Sequence, residues 1–394
     1  MACAQPPSLR RRSALGVTFF VLVALVSPAF RLTASDATTV RSPANCVGER
    51  ESLPSSRRSM WLNDVSGVTG ADVWAVGWEI RDTQQPLIVK RSEAGWERQP
   101  VPAVWDGELN AVSARTARDV WAVGFRRGDG RGLVPLAVHF DGVAWSITRF
   151  PPRLIRNLYD VVSTGPGEAW AVGTSGGDGA RPVLLRYAAG KWDRVHPPSL
   201  PARGYLGGLD RVGAGKSVVA VGTGGAYGND QAIALSFDGS EWTREKLPDN
   251  TKARLWRVDG GLSVGLSTDI VDKDPVVLAR ASEGWTRLAV GRVDGHITYL
   301  QDLSVTRARG KTLVVAVGSI DARRGNRNTT VLLKDSGGTW TVLESPNPSL
   351  SLNQLLGVWS TSPADGQIDT FAVGTYFIGE RSIPLVIAYL RCRS

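Results

Sequence analysis

Three aspartates and one arginine occupy the same step of a recurring segment. Asp64, Asp160 and Asp302 lie two residues after Leu62, Leu158 and Leu300, and Arg257 lies two after Leu255. Equivalent positions of a repeat converge when the repeats surround an axis, so these four side chains would face one another beside a channel. There they would form a charged ring at the channel mouth or accept hydrogen bonds from neighbouring backbone, the second being the expected use of such carboxylates. Arg127-Gly128-Asp129 spells an adhesion tripeptide, a match that a Gly/Arg loop produces by chance. Gly128-Asp129-Gly130 and Gly177-Asp178-Gly179 offer one carboxylate each, whereas calcium takes about six to eight oxygens. Arg181 and Arg323 stand in comparable glycine-containing stretches, and Trp256 lies off the main tryptophan pattern, free to meet a ligand. These residues are the candidate binding set.

Other chemistries find little support. His139, His196 and His296 are widely separated, so no zinc or copper constellation is expected, and no cofactor or catalytic residue is assigned. Glycoside hydrolysis needs two carboxylates at a defined separation, a pairing that only three dimensions reveal. The sialidase route would need an arginine cluster and an Arg-Ile-Pro motif, from which Arg149-Phe150-Pro151-Pro152 departs.

The elements that must position these residues are repeats. Aromatic-Ala-Val-Gly occurs at Trp74–Gly77, Trp121–Gly124, Trp170–Gly173 and Phe371–Gly374, with variants ending at Gly222, Gly265 and Gly318. The seven glycines recur roughly every 50 residues, the length of four short strands with their turns. Each unit opens on an inner strand at Leu62, Leu109, Leu158, Leu206, Leu255, Leu300 or Leu355, and the glycine-ended strand follows, marking where another backbone comes close. A third strand is often introduced by proline, at Pro86, Pro135, Pro182, Pro275 and Pro384, and an outer strand carries Trp96, Trp145, Trp192, Trp242, Trp285 or Trp340. The repeated tryptophans read as packing between units. The predicted architecture is all-β: a seven-bladed β-propeller of four-stranded antiparallel blades.

The seventh unit lacks its outer strand, because the chain stops at Ser394 just after the third. Val47 to Leu53 can supply it, so the ring is expected to close by the N-terminal strand completing the last blade and covering its open edge. Cys46 and Cys392 flank that junction and form the expected disulfide.

Arg10, Arg11 and Arg12 precede an uncharged apolar stretch from Ala14 to Phe30. Residues 1–37 are therefore read as an export signal and leader, with an uncleaved anchor as the alternative, 38–46 as a flexible linker and 47–394 as one propeller. The formal net charge is +9. Most of the excess outside the signal lies in the loops joining one blade to the next, which share a rim with the loops after each second strand. A basic rim around a funnel would attract anionic polymers.

The repeats resemble the secreted bacterial propellers with DVWAVG motifs, here Asp72–Gly77 and Asp119–Gly124. More distantly they are similar to kelch-like propellers and to the Asp-box (BNR-like) propellers that include sialidases and photosystem II assembly factors. The Asp-box-like turns are Lys334–Trp340 and Phe237–Trp242. The resemblance spans residues 47 to 390 and implies the fold; it implies no single chemistry, since propellers host many. The copper ligands of galactose-oxidase-like relatives have no counterpart. The expected function is a monomeric binding or scaffold module, extracytoplasmic, whose partner is an unidentified protein or an anionic glycan. No sequence-specific nucleic-acid contact is expected, and membrane contact only through a retained N-terminal segment. The alternatives are a glycan-active hydrolase or lyase and an assembly factor for an exported complex.

Overall fold

The computed structural model describes residues 46–393 except 55–57, 103–105, 129, 131, 151–154, 177–179, 198–199, 214, 226–229, 250, 270–273, 294, 309, 322–326, 335–337 and 364–366. The expected export segment lies outside these residues, as do Asp129, Asp178 and Arg323. The rest forms seven four-stranded sheets, each paired in sequence order apart from the last. The inner strands of blades one to seven are β2 (Met60–Thr69), β6 (Gly107–Thr116), β10 (Asn157–Gly165), β14 (Gly204–Arg211), β18 (Ala253–Asp259), β22 (Thr298–Ala308) and β26 (Asn353–Thr361). Every pairing within the blades is antiparallel, as in β2 with β3 (Asp72–Ile80) and β3 with β4 (Gln84–Ser92).

The repeated glycine has a direct steric cause. A Cβ on Gly77, Gly124, Gly173, Gly222, Gly265, Gly318 or Gly374 would collide with a carbonyl oxygen of the adjoining inner strand, that of Trp61 in the first case. The same step of every inner strand carries a β-bulge, for example between Leu62 and Asp64 and between Leu109 and Ala111. The leucine beside the bulge is fully buried in all seven blades.

The Asp-x-Trp part of the repeat holds a basic side chain over an indole. Lys90 lies 4.8 Å from the Trp74 ring and pairs with Asp72 at 3.0 Å. In blade two His139 stacks on Trp121 at 4.2 Å and meets Asp119 at 2.8 Å. Trp74, Trp121 and Trp192 are fully buried between blades. Each such side chain removes some 150–250 Å² from water, worth about 4–6 kcal/mol.

The last blade is ordered β1-β28-β27-β26, with β1 (Glu49–Arg50), β27 (Gln367–Ile378) and β28 (Arg381–Arg393). The N-terminal strand thus closes the ring, and Cys46 is bonded to Cys392 with Cα atoms 4.9 Å apart. The strand is shorter than the expected Val47–Leu53: the ladder is Glu49↔Ala388 and Arg50↔Ile387. Val47 bridges Glu344 instead, and Leu53 leaves the edge to pack on the core between blades one and seven. The prolines also depart from expectation. Pro182 and Pro275 open their strands, but Pro86 lies inside β4, where the outer strand has already ended at the Val89↔Arg98 pair. A missing N–H on that unpaired side costs no ladder bond.

Candidate functional site

The four axial residues come together, below the funnel mouth rather than at it. Each aspartate joins its own inner strand to the next blade's. Asp64 accepts from Val65 N at 2.9 Å and Val112 N at 2.8 Å, Asp160 from Val161 N and Leu209 N at 2.8 Å, and Asp302 from Leu303 N and Val358 N at 2.8 Å. Nearer the opposite face Asp210 accepts from Gly260 N at 2.8 Å and Asp259 from Val305 N at 2.6 Å. Serines do the same elsewhere, Ser113 accepting from Ser163 N at 3.1 Å. Backbone bonding, the expected use, is what the carboxylates do.

Arg257 crosses the axis. Its Nη1 donates to the carbonyls of Tyr159 at 3.2 Å and Gly207 at 3.4 Å, its Nη2 to that of Asn110 at 3.4 Å, and its Nε stands 3.9 Å from Asp302 Oδ1. One guanidinium therefore touches blades two, three, four and six from its origin in blade five. Burial pushes the carboxyls of Asp64, Asp160 and Asp302 upward and outweighs the opposing pull of Arg257, Asp160 reaching about 7. Burial opposes the charge of Arg257, but the three carboxylates hold it protonated. Neither face of the adjoining strands leaves room for larger groups: a Cβ on Gly208 would stand 2.8 Å from Arg257 Cα, and one on Gly357 2.7 Å from Asp64 Cα.

Above this layer the channel opens as a funnel of about 380 Å³. Its wall is made by the bulged residues themselves, Asn63, Asn110, Tyr159, Gly207, Trp256, Gln301 and Leu356, together with Tyr205 and Arg257. Strict strand alternation gave no warning of this ring, because a bulge resets which side chains reach the axis. Of its members, sequence reasoning singled out Trp256 and Arg257. Trp256 Nε1 donates to Leu300 O at 3.0 Å, and Asn63 and Asn110 donate to Leu109 O and Leu158 O at 2.8 and 2.7 Å.

The rim assignment rests on hydrogen bonds that tie the end of each second strand to the entry of its inner strand. Ile80 N reaches Ser59 O at 2.9 Å, Arg127 N reaches Asp106 O at 2.9 Å and Arg156 N reaches Thr174 O at 3.1 Å. On this face, between blades three and four, lies a groove of about 780 Å³ lined by Arg156, Arg181, Arg194, His196, Leu200 and three prolines among others, with no carboxylate among the described lining residues. Arg156, Arg181 and His196 are exposed, and Arg194 donates to Pro182 O at 3.4 Å. Among the described residues no carboxylate pairs with Arg156 or Arg181. Arg127, by contrast, is paired with Asp106. It is thereby partly neutralised, and the adhesion tripeptide gains no support from it. Arg181 and Arg257 are thus in separate sites. Among the described residues no group of three or more His, Cys, Asp or Glu is placed to hold a metal ion.

Architecture and loop face together define the class: a closed seven-bladed β-propeller with a blocked axial channel. No family model matches the sequence, and no curated protein matches it. Among solved structures it is similar to YCF48 bound to D1 peptide, at 16% identity over 89% of this chain and 98% of that one, with a TM-score of 0.55. YCF48 from Cyanidioschyzon merolae aligns over 87% of this chain and 99% of its own at 15% identity and a TM-score of 0.47. A puromycin-hydrolysing peptidase from Mycobacterium tuberculosis aligns over 84% and 53% at 12% identity, TM-score 0.48. Likeness at these identities shows the fold alone.

Proposed function

We propose that this chain is an exported binding propeller that holds an acidic protein segment on its interblade-loop face. The observation that carries the reading is the groove between blades three and four, where Arg156, Arg181 and His196 stand exposed in one cavity and none of the described lining residues is a carboxylate. A concave wall bearing one sign of charge raises the local concentration of oppositely charged ligands. The solved YCF48 of the same fold, with which the TM-score is 0.55, holds a peptide, and this favours a protein ligand over a glycan. Export is supported by the apolar N-terminal stretch behind Arg10–Arg12 and by the Cys46–Cys392 bond, which persists in oxidising compartments.

The test is fluorescence anisotropy with labelled poly-L-glutamate and, separately, heparin, at low and at physiological salt. Poly-L-glutamate is expected to bind, to weaken as salt rises, and to lose about tenfold or more in affinity in the Arg156→Glu/Arg181→Glu variant. Binding of heparin alone would replace the protein ligand by an anionic glycan. Binding of neither, or affinity indifferent to both substitutions, would overturn the reading.

A further inference from the structure

We propose that the axial funnel is a second binding site, separate from the basic groove, and that it takes one neutral, polyhydroxylated ring of pyranose size. The starting observation is a contrast between adjacent positions of the same repeat. The residue before the bulge is leucine in all seven blades and wholly buried: Leu62, Leu109, Leu158, Leu206, Leu255, Leu300 and Leu355. The next residue, which lines the funnel, changes from blade to blade, from asparagine to tyrosine, glycine, tryptophan, glutamine and leucine. Packing dictates the first position and leaves the second open to other demands.

The chemistry of the wall is specific. Asn63 and Asn110 spend their amide nitrogens on the carbonyls of the next blade's leucine. That leaves each amide oxygen as an acceptor, and among the described residues nothing donates to it. Gln301 makes no hydrogen bond to a described residue and adds both an acceptor and a donor. Trp256 is half-buried in the wall, and Tyr159 and Tyr205 meet edge to face with ring centroids 5.7 Å apart. A ligand that suits these groups presents hydroxyl donors around its edge and an aliphatic C–H face to an indole. Charge at the floor selects further. Arg257 is the first charged group a ligand meets, with Asp64, Asp160 and Asp302 directly behind it, so neither a free anion nor a cation finds an uncompensated partner. The volume of about 380 Å³ admits one sugar ring and little more.

Tryptophan fluorescence and saturation-transfer NMR with glucose, galactose, mannose, rhamnose, N-acetylglucosamine and glucuronate decide the matter. At least one neutral sugar is expected to bind with a dissociation constant in the mM range, as befits so small a ligand, and glucuronate more weakly than glucose. Trp256→Ala is expected to abolish binding. Gln301→Ala, which removes no internal hydrogen bond among the described residues, should weaken it several-fold with an unchanged melting temperature. The Arg156→Glu/Arg181→Glu variant should bind the sugar as the parent does, which separates this site from the groove. Silence of the whole panel up to about 50 mM, preference for glucuronate, or loss of sugar binding in the groove variant would each overturn the proposal.

Discussion

Arg257 in blade five donates its Nη2 to the carbonyl of Asn110 in blade two, 3.4 Å away and 147 residues back along the chain. The blades of a propeller surround a central channel, and here one side chain bridges it. The bridge is electrostatically sensible because Asp64, Asp160 and Asp302 surround the guanidinium in a region of low effective dielectric. Its position makes the channel a shallow funnel open at one face.

Removal of the arginine would leave three buried carboxylates facing one another. Arg257→Met is expected to destabilise the propeller by about 3–5 kcal/mol, the range for breaking a buried charge group by deleting one partner. Combining it with Asp160→Asn should recover part of the loss. Urea denaturation of the single and double variants measures both, and a midpoint unchanged by Arg257→Met would contradict the bridge.

The buried carboxyls also set a pH dependence. Asp160 titrates at about 7 and Asp259 at about 6 in the folded state, against about 4 in an unfolded chain. The native state therefore holds more protons across that interval, and stability falls as pH rises through it. Glu79, Asp119 and Glu245 act oppositely: despite burial, hydrogen bonds from Arg98, His139 and Arg280 respectively keep them below the usual carboxylate range. Their contribution is present above the unfolded value and disappears in acid. Thermal melts should accordingly peak near pH 5, about 2 °C or more above the value at pH 7.5, and Asp160→Asn should flatten the slope between the two.

Ring closure depends on a short ladder. β1 contributes two residue pairs to β28, so the Cys46–Cys392 bond, 346 residues apart in sequence, carries much of the closure. Loop-entropy arguments place the upper bound of its contribution at about 6 kcal/mol. Cys46→Ser/Cys392→Ser should lower the melting temperature and raise proteolytic cleavage near the N-terminal strand, readable by mass spectrometry. Equal melting temperatures with and without reductant would show that the strand alone suffices.

The glycine of the repeat should tolerate nothing larger. Gly124→Ala would drive a methyl group into Glu108 O, and the strand pair would have to separate at its bulge. A loss of about 3 kcal/mol or more is expected. Gly132→Ala, where a Cβ has open space and the backbone is outside the left-handed region, should cost less and serves as the comparison for chemical denaturation.

The blades were legible because each repeats one packing problem: leucine at the inner strand, Ala-Val-Gly on the second, tryptophan on the outer. The missing outer strand of the seventh unit and the two terminal cysteines likewise announced how the ring closes. Less visible were the groove and the funnel. Arg156, Arg181 and Arg194 come from different loops and strands, and no linear spacing marks them as neighbours. Asn63, Tyr159 and Gln301 were passed over because strand alternation carries no sign of a bulge.

Sequence alone determined the number of blades, their strand order and the pairing of the two ends, since these follow from local periodicity that recurs in every copy. Only the tertiary structure decided that Arg257 spans the axis, that the aspartates bond to backbone of the next blade, and that the loop face carries both a funnel floored by Arg257 and a separate groove lined by Arg156 and Arg181. Those features arise between residues of different blades, where distance in space is set by closing the circle and not by any interval along the chain.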